Sequence, residues 1–380
     1  MTRFPWPWAA ALMFVSCVGM VDGTGPADGA VEVVDAGPGL DAGSPVDSGQ
    51  PDAGAVDAGP DAGPASDAGL DDAGTAVDAG QPVVDAGVTG TVPIFVATGY
   101  QNRRLRSLDG THWTDDVDNP ANAFDDIGTG VAFGAGRVIV SSHSGLVTSP
   151  DGKTWTKLPA PLPQAWPGLG GSAAVFAGGQ FVVVAGEDSW TSPDGLAFTR
   201  HTQTGTGATH WQAIAQGGGH ILVVGDSNGS GGDRKVSEDG VTWQDWAEGG
   251  PHLVGAAYGA GVFVFVGATG RRAWTADGVT IHDSDDATMG DFQGVVWDGA
   301  KFVAIGAGGL TTSADGKTWV KTSIMYLPGV SSYGGGLFLT TTWESNILTS
   351  TNGSTWTTVF SGASGSPALA RVAWGLVQGP

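Results

Sequence analysis

Asp109, Asp151, Asp194, Asp239, Asp277 and Asp315 share one setting: each follows a Ser or Thr by two residues and directly precedes a Gly, and Asn352 occupies the same place in a seventh copy. A carboxylate so placed can move a proton, ligate a hard cation or bond its own backbone. Recurrence at even spacing favours the last use, because one reaction needs one site, whereas a repeated scaffold needs the same turn in every unit.

Other residues carry sharper chemistry. Asp226-Ser227-Asn228-Gly229-Ser230-Gly231-Gly232-Asp233 sets oxygen-bearing side chains at alternating positions with Gly at the sixth, the outline of a calcium loop with Asp226, Asn228 and Asp233 as ligands. Arg234 and the missing terminal Glu favour a polar hairpin extension instead, so no cofactor is expected and calcium there is the alternative. Gly225 to Gly229 also spells a nucleophile-elbow pattern, but no helix follows it. His201 and His210 stand nine apart without a third ligand nearby, so no metal centre is expected.

The elements that position these residues follow from the period. The turn residues are spaced between 37 and 45 residues apart, the range of propeller blades, and helical spacing of apolar residues is missing. Each repeat holds four strand signals; around Ser149 these are Val131-Ala132-Phe133, Val138-Ile139-Val140, Leu146-Val147-Thr148 and Thr154-Trp155-Thr156 (a to d). Near-continuous apolar b strands such as Gln180-Phe181-Val182-Val183-Val184 suit sheets covered on both faces.

The two ends agree with this count. Ile94-Phe95-Val96 enters as a b strand and Arg371-Val372-Ala373-Trp374-Gly375 leaves as an a strand, so the last segment completes the first blade and closes the ring. The reading is an all-β, seven-bladed β-propeller of four-stranded blades over 93–380. In its c–d turns, Pro presets φ, Asp bonds its own backbone and Gly accepts φ > 0. Trp113, Trp155, Trp243, Trp319 and Trp356, replaced by Phe198 and Ile281 in two blades, are expected to pack over the next blade.

These turns resemble the Asp-box (BNR) repeats of sialidase-like propellers, with one residue fewer between Asp and Gly. The fuller unit also resembles exported bacterial and photosystem-assembly-type propellers. The first resemblance implies a glycoside hydrolase with an arginine clamp and a Tyr nucleophile. The family's N-terminal arginine motif is absent here, Tyr258 and Tyr333 fall near the a–b turns, and Arg104, Arg234 and Arg272 lie in separate blades.

Ahead of the propeller, residues 1–23 read as an export signal: Arg3, an apolar run from Phe4 to Val15, then Phe14-Val15-Ser16-Cys17, similar to a bacterial lipobox with Cys17 as the lipidated residue. Cys17 is the one cysteine, which excludes a disulfide framework. Residues 24–92 repeat Asp-Ala-Gly with Pro and no aromatic residue, a disordered linker similar to the stalks of Gram-negative surface lipoproteins. Its reach runs from roughly 45 Å as a coil to roughly 200 Å extended. The stretch between Arg3 and Arg103 carries -14 of the chain's net charge of -22, and such acidity excludes nucleic acid as a partner.

The b–c and d–a loops are long and varied, and variable loops on a rigid ring are where recognition concentrates. Trp190, Trp211 and Trp343 are the candidate sugar-stacking rings on that face, with Arg104, Arg272 and His210 as polar contacts. The expectation is a monomeric, non-catalytic propeller in the outer membrane or at the cell surface, or else periplasmic or secreted. It would bind a protein or glycan of the cell envelope and touch the membrane only through its lipid. The alternatives are a sialidase-like hydrolase and an assembly or scaffold factor for a membrane complex.

Overall fold

The computed structural model describes residues 90–118, 127–142, 145–159, 172–203, 210–226, 232–249, 252–284, 290–307, 309–323, 331–342 and 344–379. The export signal with Cys17, linker residues 24–89, Asn228 and Trp343 lie outside them.

Among the described residues, seven four-stranded antiparallel sheets form the fold. The second blade shows the plan: strand a Gly130–Gly134, b Arg137–Ser142, c Gly145–Ser149 and d Thr156–Lys157. In the other five blades of consecutive strands, strand a is Ser172–Ala177, His210–Gly217, Leu253–Gly259, Phe292–Trp297 and Ser331–Gly334. Each a strand abuts the a strands of both neighbouring blades, so these strands line the centre.

The first blade is assembled from both ends of the domain, in the order Leu369–Gln378, Thr91–Gly99, Arg104–Ser107, Trp113–Val117. Its register runs from Thr91 opposite Gln378 to Thr98 opposite Arg371, with a bulge between Thr98 and Gly99. The strand starts at Thr91 rather than Pro93 because Thr91 and Val92 find partners in Gln378 and Val377.

The apolar b strands are buried as their composition demands: Phe181, Val182, Val183 and Val184 are at most 1% exposed. Each of the seven core clusters draws on two adjacent blades. Ile139 and Leu146 of the second blade meet Phe181 and Trp190 of the third, and Phe95 and Leu105 of the first meet Leu339 and Ile347 of the seventh.

Two expectations need correction. The motif aromatics pack on the preceding blade: Trp155 lies with Ile94 and Val96, Trp243 with Val182 and Val184, and Trp319 with Val264 and Val266. The turn glycines lean the same way, since a Cβ on Gly240 would lie 2.6 Å from Val182 and one on Gly316 2.6 Å from Val264. Strand d of the second blade also starts later than Thr154. Asp151 Oδ1 accepts the backbone N–H groups of Lys153 and Thr154, so the turn extends through them.

That turn repeats in detail. Ser149 Oγ donates to Asp151 Oδ1 and accepts from the Gly152 N–H, Gly152 has φ of 72°, and Trp155 Nε1 donates to the Gly152 carbonyl at 3.2 Å. The same Ser-to-Asp bond is made by Ser107, Ser192, Ser237 and Ser313, by Thr275, and by Ser350 to Asn352. The aspartates are structural: each carboxylate holds its own hairpin.

Backbone N–H donors hold Asp109 and Asp277 well below the usual carboxylate range and Asp315 at about 2. Their folded-state affinity for protons is lowered, so the unfolded chain takes up protons first as pH falls. This contribution is complete above the ordinary carboxylate value, near 4, and is lost on the way down to about 2. The melting temperature should be flat from pH 7 to 5 and fall below about pH 4. Changing all six aspartates to Asn, the residue already at 352, should flatten that fall; an unaltered acid limb in that variant would place the acid sensitivity elsewhere.

Candidate ligand-binding channel

The a strands surround a cavity of about 180 Å³ on the ring axis, lined from all seven blades. Aromatic residues near the a–b turns fix the spacing of the strands. Phe133, Phe176, Tyr258, Trp297 and Trp374 each lie against a glycine of the preceding blade, respectively Gly375, Gly134, Gly217, Gly259 and Gly334. A Cβ on Gly217 would stand 2.0 Å from the Tyr258 ring, so only glycine lets these neighbours approach so closely.

At the other end of the channel, beside the d–a loops, one charge enters. Arg371 stands three residues before Trp374, at the level where five other blades have Gly130, Ala173, Ala213, Gly255 and Gly294 three residues before their own a-strand aromatic or its counterpart. These small residues leave room for its guanidinium. Nε donates to the Thr129 carbonyl of the second blade at 3.3 Å, and Nη2 reaches the Gln212 carbonyl of the fourth at 2.8 Å. The residue is half-buried, desolvation in the channel pushes the guanidinium down to about 10, and among the described residues no carboxylate pairs with it. Walls of Val131, Ala174, Ile214, Ala256 and Val295 make the surroundings apolar.

The residues singled out from sequence lie elsewhere. Trp190 and Trp211 are each 1% exposed, inside the clusters between the second and third and the third and fourth blades. Neither ring can stack on a sugar; both are core. Trp211 Nε1 donates to the Gly186 carbonyl at 2.6 Å, and the buried Lys235 ammonium lies 5.5 Å from its ring, paired with Glu187 at 3.1 Å and Asp245 at 3.3 Å.

Arg104 and Arg272 are corrected likewise. They occupy matching places in the first and fifth blades and lie buried over the motif rings of the blades that follow, Arg104 4.8 Å from Trp155 and Arg272 5.7 Å from Trp319. Their neighbours Arg103 and Arg271 bind Asp116 and Asp283 of the same blade at 2.6 and 3.4 Å. The arginine pairs thus brace the ring internally. His210 is buried at the start of its a strand, and Asp233 is 2% exposed within Gly232–Ser237. Of the calcium candidates, Asn228 and the Asp226 side chain lie outside the described residues, and among the described ones no three His, Cys, Asp or Glu groups converge.

The strand pairing defines a seven-bladed β-propeller, and its central channel is lined by apolar side chains together with Arg371. No family model matches the chain, and the search of curated proteins found no match. Among solved structures it is similar to YCF48 bound to D1 peptide, at 15% identity over 70% of this chain and 91% of that one, with a TM-score of 0.49. It is also similar to a chain of the nidogen/laminin complex, at 13% identity over 76% and 100% with a TM-score of 0.47. Apo AztD from Citrobacter koseri is 10% identical over 77% and 100%, with a TM-score of 0.48.

Proposed function

We propose that this chain is an exported propeller that binds a protein or a glycan without transforming it, on the face that carries the b–c and d–a loops. In this reading Cys17 carries a lipid and the linker from residue 24 up to the first strand at Thr91 sets the propeller away from the outer membrane or cell surface. The supporting observation is the placing of Arg371: the a strands begin on that face, and among the described residues Arg371 is the charged group that lines the channel there. The opposite face is taken up by uniform turns whose Asp side chains are engaged with their own backbone. A pocket charge amid apolar walls is how a recognition site fixes the orientation of what it holds.

The test is retention of the full chain on glycan arrays and on immobilised envelope fractions. One sugar class or one envelope protein should be retained. Substitution of the exposed loop-face residues Ala363 and Ser364 by Arg should weaken that retention, and turn-face Lys153→Glu should leave it intact. The reverse pattern would move the site to the turn face, and no retention on either surface would end the proposal.

A further inference from the structure

Beyond a macromolecular partner, the channel itself fits a small ligand. We infer that it binds a compact monocarboxylate with an apolar body, its carboxylate held by the Arg371 guanidinium. Two donors of that guanidinium are used by the Thr129 and Gln212 carbonyls, which fix its position across the channel between the first, second and fourth blades. Among the described residues Nη1 makes no hydrogen bond, and it is the group left to receive an acceptor.

A half-buried cation that has no counter-charge among the described residues is partly desolvated at a cost, and an anion lowers that cost. Carboxylates suit a guanidinium because N–H donors and carboxylate oxygens match in plane and spacing. Arg371 is already pre-ordered, so little side-chain freedom is lost on binding. The walls decide the rest of the ligand. Val131, Ala174, Ile214, Ala256 and Val295 offer apolar contact, with Trp297 and Tyr333 also lining the cavity. A volume of about 180 Å³ is below the range of about 300 Å³ and upward typical of drug-sized ligands, so the acid is small. A strongly hydrated inorganic anion would have to give up its water to apolar walls that return nothing.

Calorimetric titration of the full chain with benzoate, benzamide, acetate and sulfate tests the assignment. Benzoate should bind and raise the melting temperature, and benzamide, which lacks the charge, should bind about tenfold more weakly or worse. Arg371→Met should abolish the preference for the acid. Ala256→Leu, which narrows the cavity and keeps the guanidinium, should weaken benzoate more than acetate. Benzamide binding as well as benzoate, sulfate binding as well as benzoate, or no binding of any probe to the wild-type chain would each overturn the inference. A purely structural strut predicts that Arg371→Met lowers the melting temperature while the wild-type protein ignores benzoate. Binding of benzoate without retention on arrays would sink the macromolecular reading alone, and the opposite pair of results would sink this inference alone.

Discussion

A chain ended at Ala368 should lose its cooperative melting transition. The missing segment, Leu369–Gln378, is the a strand of the first blade and is paired with Thr91–Gly99 along that strand's whole length. Leu369, Val372 and Val377 are 2, 5 and 0% exposed, and burying a side chain of this kind contributes about 1.5–3 kcal/mol. Three of them amount to several kcal/mol, against a total folding stability of about 5–15 kcal/mol. Gly375 and Trp374 also leave, so Phe133 and Gly334 lose their neighbours on both sides of the gap. Scanning calorimetry of the truncated and complete chains decides the matter. An unchanged melting temperature and enthalpy would show that the last strand is dispensable and that the closure has been given too much weight.

Trp211→Ala should destabilise the protein by about 3–5 kcal/mol. The ring fills the seam between the third and fourth blades among Ala173, Val182, Val184 and Val223. Its removal leaves a cavity, deprives the Gly186 carbonyl of its donor and takes the aromatic face from Lys235, which is 1% exposed. For a domain of this size the melting temperature should drop by on the order of 10 °C. Urea unfolding monitored by fluorescence gives the free energy directly. A variant of full stability that has lost ligand would return Trp211 to the role of a binding platform.

The sequence made the ring legible because its signals are local. Ser-x-Asp-Gly needs only its own few residues to form the turn, and the b- and a-like character of Ile94-Phe95-Val96 and Arg371 to Gly375 needs only pattern. What sequence did not reveal depends on direction in space. Arg103 and Arg104 are adjacent and look like one anion clamp, but successive strand residues face opposite ways, and the two go to Asp116 and to Trp155. Trp190 and Trp211 stand near loop ends, where an indole at the core and one at the surface have the same spelling. The backward lean of the motif tryptophans depends on how neighbouring blades pack, which no residue pattern within one blade records. Arg371 could have been found by aligning the seven repeats on their a strands, because it is the one charge in a column of small side chains.

The seven core clusters straddle blade boundaries, and this changes what counts as a unit of the molecule. A blade cut out alone would carry two half-cores and no whole one, so the seam, not the blade, is the element that stores stability. In a row of units, opening any seam divides the assembly. In a circle, opening one seam only turns the circle into an arc that keeps the other six, and a blade is released only when two seams part together. Damage confined to one junction is therefore held in place by its neighbours, as a missing joint in a hoop is held by the rest of the hoop.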